Sequence, residues 1–311
     1  MHKIDRIYQM PDKYELATAF YQPEGPIKGY IHILHGMSEY HGRYDAFATF
    51  LATSGYAVGL HSHRGHGENA TLNQTPLGYY SDKDGFQKVV EDVLTVITKF
   101  QQEYDLPKPV LLGHSMGSLV ARRFTQLYSE KISKAIFMGT LVYTPVHGLG
   151  RVISSIQGKW QSPEAPASVI DRVTNTMNTL RYRNRKTGKE WLSKDQQNVQ
   201  NYLQDPFCSY VSTNQFYVDL LTGFKQLSTM KEVATIRKDL PILLISGKED
   251  PIGDFGKGVW RVAKQLKKAG IQTITVYLFE SLRHEILNEK EKIAVYNAIV
   301  NWLEKKHEQT V

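Results

Sequence analysis

Val110-Leu111-Leu112-Gly113-His114-Ser115-Met116-Gly117-Ser118 joins two kinds of periodicity. Residues 109–112 are wholly apolar, as in a strand buried on both faces. From Ser115 to residue 128 the apolar positions recur at helical spacing. Between them lies G-x-S-x-G. A tight strand-to-helix turn needs Gly113 and Gly117 at its flanks, because the backbone is strained there and neighbours press close. Such a turn holds the Ser115 hydroxyl exposed above a sheet. It also sits at a helix N-terminus, whose free N–H groups and positive dipole end favour developing negative charge. A chance match in a glycine-containing loop is the alternative, and the flanking strand and helix argue against it.

The same rhythm extends outward. Residues 14–21, 29–34, 56–60 and 135–138 read as strands, and residues 43–53 and 84–104 as amphipathic helices. This predicts a mostly parallel central sheet flanked by helices. The rhythm stops at residue 141. It returns at residue 231, before a buried strand at 241–246, a helix at 257–269, a strand at 272–279 and a closing helix at 289–305. The expected organisation is an α/β core of residues 1–140 and 231–311, with a mainly helical cap inserted at 141–230. The cap would lie over the carboxyl ends of the strands, where open α/β sheets bind ligands. Two apolar stripes mark it: Val169, Ile170, Val173, Met177 and Leu180, then Phe216, Tyr217, Leu220, Leu221 and Phe224. Packing on the protein and lining a greasy pocket are equally good readings of both.

The composition is that of an ordinary globular protein: 311 residues, 41% hydrophobic and 22% charged. Thirty-eight basic against 31 acidic side chains give a net charge of +7. Part of the excess is local, at Arg181, Arg183, Arg185, Lys186 and Lys189. A solvated surface is the first reading, and peripheral contact with an anionic membrane is the second. No nucleic-acid motif accompanies the run, so nucleic acid is not expected as a partner. With Cys208 the single cysteine, no internal disulfide can form and a cysteine metal site is not expected. The start of the chain lacks an apolar signal segment, and no run of about 18 apolar residues occurs. The cytoplasm is the expected compartment, and neither cofactor nor metal is called for.

A serine hydroxyl needs a base, and the base an orienting acid. In the strand-turn-helix architecture these follow in the order Ser, acid, His. The loop after the 241–246 strand reads Gly247-Lys248-Glu249-Asp250-Pro251. The loop after the 272–279 strand reads Ser281-Leu282-Arg283-His284-Glu285. Ser115, Asp250 and His284 are therefore the expected catalytic triad. Glu249 and Asp254 are the rival acids. His35, His61, His63, His66 and His114 precede Ser115 and read as structural or rim residues. The backbone amides of Met37 and Met116 are the expected oxyanion donors.

His35-Gly36 with Glu39, Arg64-Gly65-His66-Gly67, the Gly113–Gly117 nucleophile elbow, Asp250 and His284 occur together and in order. The chain resembles the monoacylglycerol lipase and lysophospholipase group of α/β-hydrolases, also described as serine aminopeptidase-like. The likeness is strong over the core and weak over residues 141–230. It implies the α/β-hydrolase fold, a cap over an acyl channel, and ester hydrolysis through an acyl-enzyme on monoacylglycerol, lysophospholipid or a similar small acyl ester. Ser62 stands where the family often has Asp, and Ser38 and Tyr40 where the oxyanion loop often has Gly and His. These departures touch substrate preference, since no triad member is lost. Three other functions compete: a short-chain esterase or thioesterase, an aminopeptidase-like peptidase, and a non-catalytic binding module. The peptidase would need acids converging on a free amine. Glu164, Asp171, Glu190, Asp195, Asp205 and Asp219 are available for it.

Overall fold

The computed structural model describes residues 1–183 and 185–305. Eight strands form one sheet: β1 (His2–Gln9), β2 (Glu15–Gln22), β3 (Gly29–Leu34), β4 (Tyr56–His61), β5 (Val110–His114), β6 (Lys134–Met138), β7 (Ile242–Gly247) and β8 (Ile274–Phe279). Their order is β1-β2-β4-β3-β5-β6-β7-β8. Strands β3 to β8 run parallel, while β1 and β2 form an antiparallel edge. The continuous apolar runs became the inner strands, and β4, β5 and β7 are buried at every residue. The sequence reading assigned no strand to residues 2–9. β1 is mostly exposed and polar, so it carries no apolar alternation. Its backbone ladder to β2 holds it in place.

Eleven α-helices accompany the sheet among the described residues: α1 (Asp45–Thr53), α2 (Asn69–Leu72), α3 (Gly85–Tyr104), α4 (Met116–Tyr128), α5 (Pro145–Trp160), α6 (Ser168–Thr179), α7 (Gln196–Gln204), α8 (Asn214–Leu227), α9 (Met230–Val233), α10 (Lys257–Lys268) and α11 (Lys292–Glu304). One apolar layer joins the sheet to α3, α4 and α10 through Val93, Phe124 and Val262. The opposite layer joins it to α1 and α11 through Phe47, Ile299 and Trp302. No helix among the described residues is long and apolar enough to cross a membrane.

The chain reverses its direction of travel across the sheet at β3. β4 lies on one side of it and β5 on the other. The loops leaving the carboxyl ends of β3 and β5 therefore meet at a crevice, the position where such sheets bind ligands.

Helices α5 to α8 lie between β6 and β7. The stripe on α8 packs against α3 and α4, and Phe216, Leu220 and Phe224 join the main core. The stripe on α6 does the reverse. Val169, Val173, Met177 and Leu180 are each more than half exposed, and of the five only Ile170 is not. The start of α6 is tied to the start of α8 by a bridge between Pro166 and Thr213 and by Asn214 N–H donating to Ala165 O at 2.9 Å. α5 exposes Val146, Leu149, Val152, Ile156 and Trp160 as well.

Candidate active site

At the end of β5 the chain turns through Ser115, whose φ of 52° and ψ of −118° lie outside the ordinary regions. The two elbow glycines are needed for close approach. A Cβ on Gly113 would lie 2.1 Å from Gly117 O, and one on Gly117 would lie 2.3 Å from Leu34 O. Ser115 N–H donates to Met138 O at 2.9 Å, which ties the turn to β6.

The loops after β7 and β8 bring Asp250 and His284 together. His284 Nδ1–H donates to Asp250 Oδ2 at 2.9 Å. That bond makes Nε2 the acceptor nitrogen of the neutral ring. Asp250 is fully buried and also accepts from Ile252 N at 2.9 Å and from Ser246 Oγ at 3.2 Å. The two loops press close, since a Cβ on Gly247 would meet Leu282 O at 2.1 Å. The rival acids point elsewhere: Glu249 pairs with Lys194 at 2.7 Å and Asp254 with Arg261 at 3.3 Å. Burial opposes a charge on His284. The Asp250 carboxylate outweighs it, with smaller help from Glu285 and Glu39, and holds the ring above its usual value of 6.5.

Ser115 lies between two adjoining cavities. Met37, Thr174, Tyr217 and Ile252 line both. The larger, of about 440 Å³, has Leu119, Leu141, Val142, Ile170, Leu220 and Leu221 in its wall, and Met116 beside Ser115. Tyr80 Oη donates to Met116 Sδ at 2.9 Å. The smaller, of about 80 Å³, holds His284, Asp171, Asn175, Asn178, Lys189 and Trp191. Trp191 packs against the His284 ring, 5.2 Å between centroids.

A buried polar network that the sequence reading missed links these parts. Glu39 accepts from Gly36 N at 2.5 Å and from Tyr44 Oη at 2.8 Å, bracing the loop that holds Met37. Arg43 donates to Glu39 at 3.1 Å and grips Glu285 with two bonds of 2.6 and 2.9 Å. Asn198 on α7 donates to Glu285 at 2.7 Å, and Glu285 N–H donates to Leu192 O at 2.8 Å. His114 approaches His284 O at 3.2 Å and Tyr44 Oη at 2.9 Å. Burial lifts the Glu39 carboxyl, but His114 and the Arg43 charge win and hold it well below the usual carboxylate range. Glu285, directly after His284 in the chain, was the available signal. Its partner Arg43 stands 242 residues away.

The remaining histidines sit behind this loop. His35 Nδ1–H donates to Gly36 O at 2.7 Å, and its Nε2 accepts from His63 N at 2.8 Å. Burial pushes His35, His61 and His63 well below the usual value and His66 down to about 4. The three departures from the family pattern also find partners. Ser38, with φ of 54°, donates to Tyr210 O at 3.0 Å, and Tyr40 donates to Asp205 at 3.2 Å. Ser62 Oγ pairs with His41 Nδ1 at 2.8 Å. Ser38 and Tyr40 thus join the core to the segment between β6 and β7.

The acids of that segment do not converge. Only Asp171 among the six lines the cavity at Ser115. Glu190 accepts from Lys186 and Thr187, Asp195 caps α7, and Asp205 bonds Tyr40. The basic run divides too. Arg181 stacks on Phe255 at 4.8 Å, and Arg183, Arg185 and Lys186 are exposed, while Lys189 turns into the small cavity. Among the described residues no cluster of three His, Cys, Asp or Glu side chains is arranged to hold a metal ion.

Residues 25–291 match the family described as serine aminopeptidase, S33. The monoglyceride lipase of Rattus norvegicus is 24% identical over 291 residues, covering 93% of this chain and 86% of that one. Phospholipase YtpA of Bacillus subtilis is 28% identical over 270 residues, covering 86% and 91%. Among solved structures, a highly thermostable carboxyl esterase from Bacillus coagulans superposes with a TM-score of 0.88 at 25% identity, covering 97% and 98%.

Proposed function

The chain belongs to the serine aminopeptidase S33 family of α/β-hydrolases and is an ester hydrolase, and from that premise we propose that it cleaves single-chain acyl esters through an acyl-enzyme on Ser115. The observation that carries this is the apolar 440 Å³ cavity opening at Ser115, beside the His284–Asp250 pair. An acyl chain fits the larger cavity, which leaves the smaller one, where His284 stands, for the alcohol half.

In this mechanism His284 Nε2 takes the Ser115 proton as the hydroxyl oxygen attacks the ester carbonyl. Asp250 holds the ring and stabilises the imidazolium. The backbone amides of Met37 and Met116 receive the oxyanion. His284 then protonates the departing alcohol, and water repeats the sequence on the acyl-enzyme. Residues 141–230 act as the cap over the reaction. The apolar sides of α5 and α6, with exposed Lys159 and Arg172 on the same helices, suit delivery of substrate from an anionic lipid surface. A single buried cysteine, Cys208, fits a reducing cytoplasm as the compartment.

The test is kcat/KM on p-nitrophenyl esters of short, medium and long acyl chain. Rates should rise toward medium or long chains. Ser115→Ala should lower them by roughly four orders of magnitude or more. Activity retained by that variant would refute the assignment. The pH profile is a second reading. His284 works as a base only when neutral, and its pKa is raised. The acid limb of kcat/KM must therefore fall above about 6.5. A limb centred below that value would contradict the Asp250 pairing.

A further inference from the structure

Met116 stands beside Ser115 in the wall of the larger cavity. A methionine side chain is unbranched and has three rotatable bonds, so its tip can settle in several places. One contact chooses among them here. Tyr80 Oη donates to Met116 Sδ at 2.9 Å. Tyr80 is 1% exposed and lines neither cavity at Ser115. The bond therefore ties the sulfur to a group behind the cavity wall. Tyr80 is itself held in place. Its ring packs on Phe216 at 4.7 Å and on His66 at 6.0 Å between centroids, and a Cβ on Gly85 would lie 2.7 Å from Tyr80 Cβ. A buried tyrosine hydroxyl needs a hydrogen-bond partner, and the sulfur is the partner it has among the described residues. A fixed donor behind the wall thus holds a flexible side chain next to the nucleophile.

We propose that Tyr80 is a positioning residue that keeps the Met116 side chain clear of the acyl chain, and so sets the preference for medium over short acyl groups. This rests on the ester-hydrolase reading above, with the acyl half in the larger cavity. Freed from Tyr80, the tip of Met116 can swing into that cavity beside Ser115. There it occupies the space of the acyl carbons that follow the carbonyl. An acetyl group ends before that point, and an octanoyl group has to pass it. The backbone N–H of Met116 is set by the start of α4 rather than by its side chain, so the loss falls on the longer ester.

The experiment measures kcat/KM on p-nitrophenyl acetate and p-nitrophenyl octanoate with wild type, Tyr80→Phe, Met116→Leu and the double variant. Phenylalanine keeps the ring and its packing. Leucine is close to methionine in volume but offers no sulfur. The octanoate-to-acetate ratio should fall about fivefold in Tyr80→Phe, the range of one neutral hydrogen bond, with the loss mainly in KM for octanoate. In the Met116→Leu background the same replacement should leave the ratio unchanged, because no sulfur is there to hold. An unchanged ratio in Tyr80→Phe alone would overturn the positioning role. An equal fall in both backgrounds would assign the effect to the Tyr80 ring and overturn it too. Either result leaves the ester-hydrolase reading standing. A wild type that prefers acetate would overturn the acyl placement together with the positioning role, and one that hydrolyses neither ester would overturn the ester-hydrolase reading as well.

Discussion

Helices α6 and α8 come from the same stretch of chain, and each carries an apolar stripe at helical spacing. They use it in opposite ways. α8 is capped by Thr213, whose hydroxyl accepts from Phe216 N–H, and presses Phe216, Leu220 and Phe224 into the core between α3 and α4. α6 turns its polar side to Ser115 and leaves Val169, Val173 and Leu180 in solvent. Periodicity marks which residues share a face. It does not say where that face goes. Over a folded sheet the apolar side is buried, at roughly 1.5–3 kcal/mol for each large side chain. On the proposed reading the inner side of α6 faces the ester, and Ile170 and Met177 of its stripe line the larger cavity while the rest of the stripe is left outside.

Substitutions on the two helices separate these roles. Phe224 is 1% exposed, and Phe224→Ala should cost about 3–5 kcal/mol in denaturant unfolding. A loss under about 1 kcal/mol would show that α8 is not part of the core and would dissolve the contrast. On α6, Val173→Gln with Leu180→Gln should change stability by no more than about 0.5 kcal/mol each. The same pair should slow hydrolysis of esters carried in anionic vesicles several-fold and leave dissolved short-chain esters untouched. Equal effects on both substrate forms would remove the lipid surface from the account of α6.

Much of this was legible before the structure. The elbow was readable because glycine is demanded there by contacts of 2.1 and 2.3 Å, which no other residue type tolerates. Asp250 was expected from its place after an apolar strand, and it is Asp250, not Glu249 or Asp254, that bonds His284. β1 was invisible because an exposed edge strand is held by its backbone ladder and leaves no side-chain alternation. The Glu39–Arg43–Glu285 network was missed for another reason. Each residue is an ordinary charged side chain in its own neighbourhood, and only the fold puts them within 3.1 Å. Lys189 was hidden inside a basic run whose other members face solvent, and a turn of the loop decides which one goes inward.

The tie between Arg43 and Glu285 bears on the order in which the protein is made. A ribosome delivers Arg43, the Met37 loop and the Ser115 elbow long before His284 and Glu285 leave its tunnel. Through most of synthesis Glu39 has its near neighbour Arg43, but Arg43 lacks the carboxylate it grips with two bonds, and on the proposed mechanism Ser115 lacks its base. Contacts of such long sequence separation form late, because the loop they close is costly in entropy. On that mechanism the nascent chain carries a nucleophile that cannot yet act. Reactivity arrives, on that mechanism, only after β8, the last strand, when most of the fold that must contain it has been made.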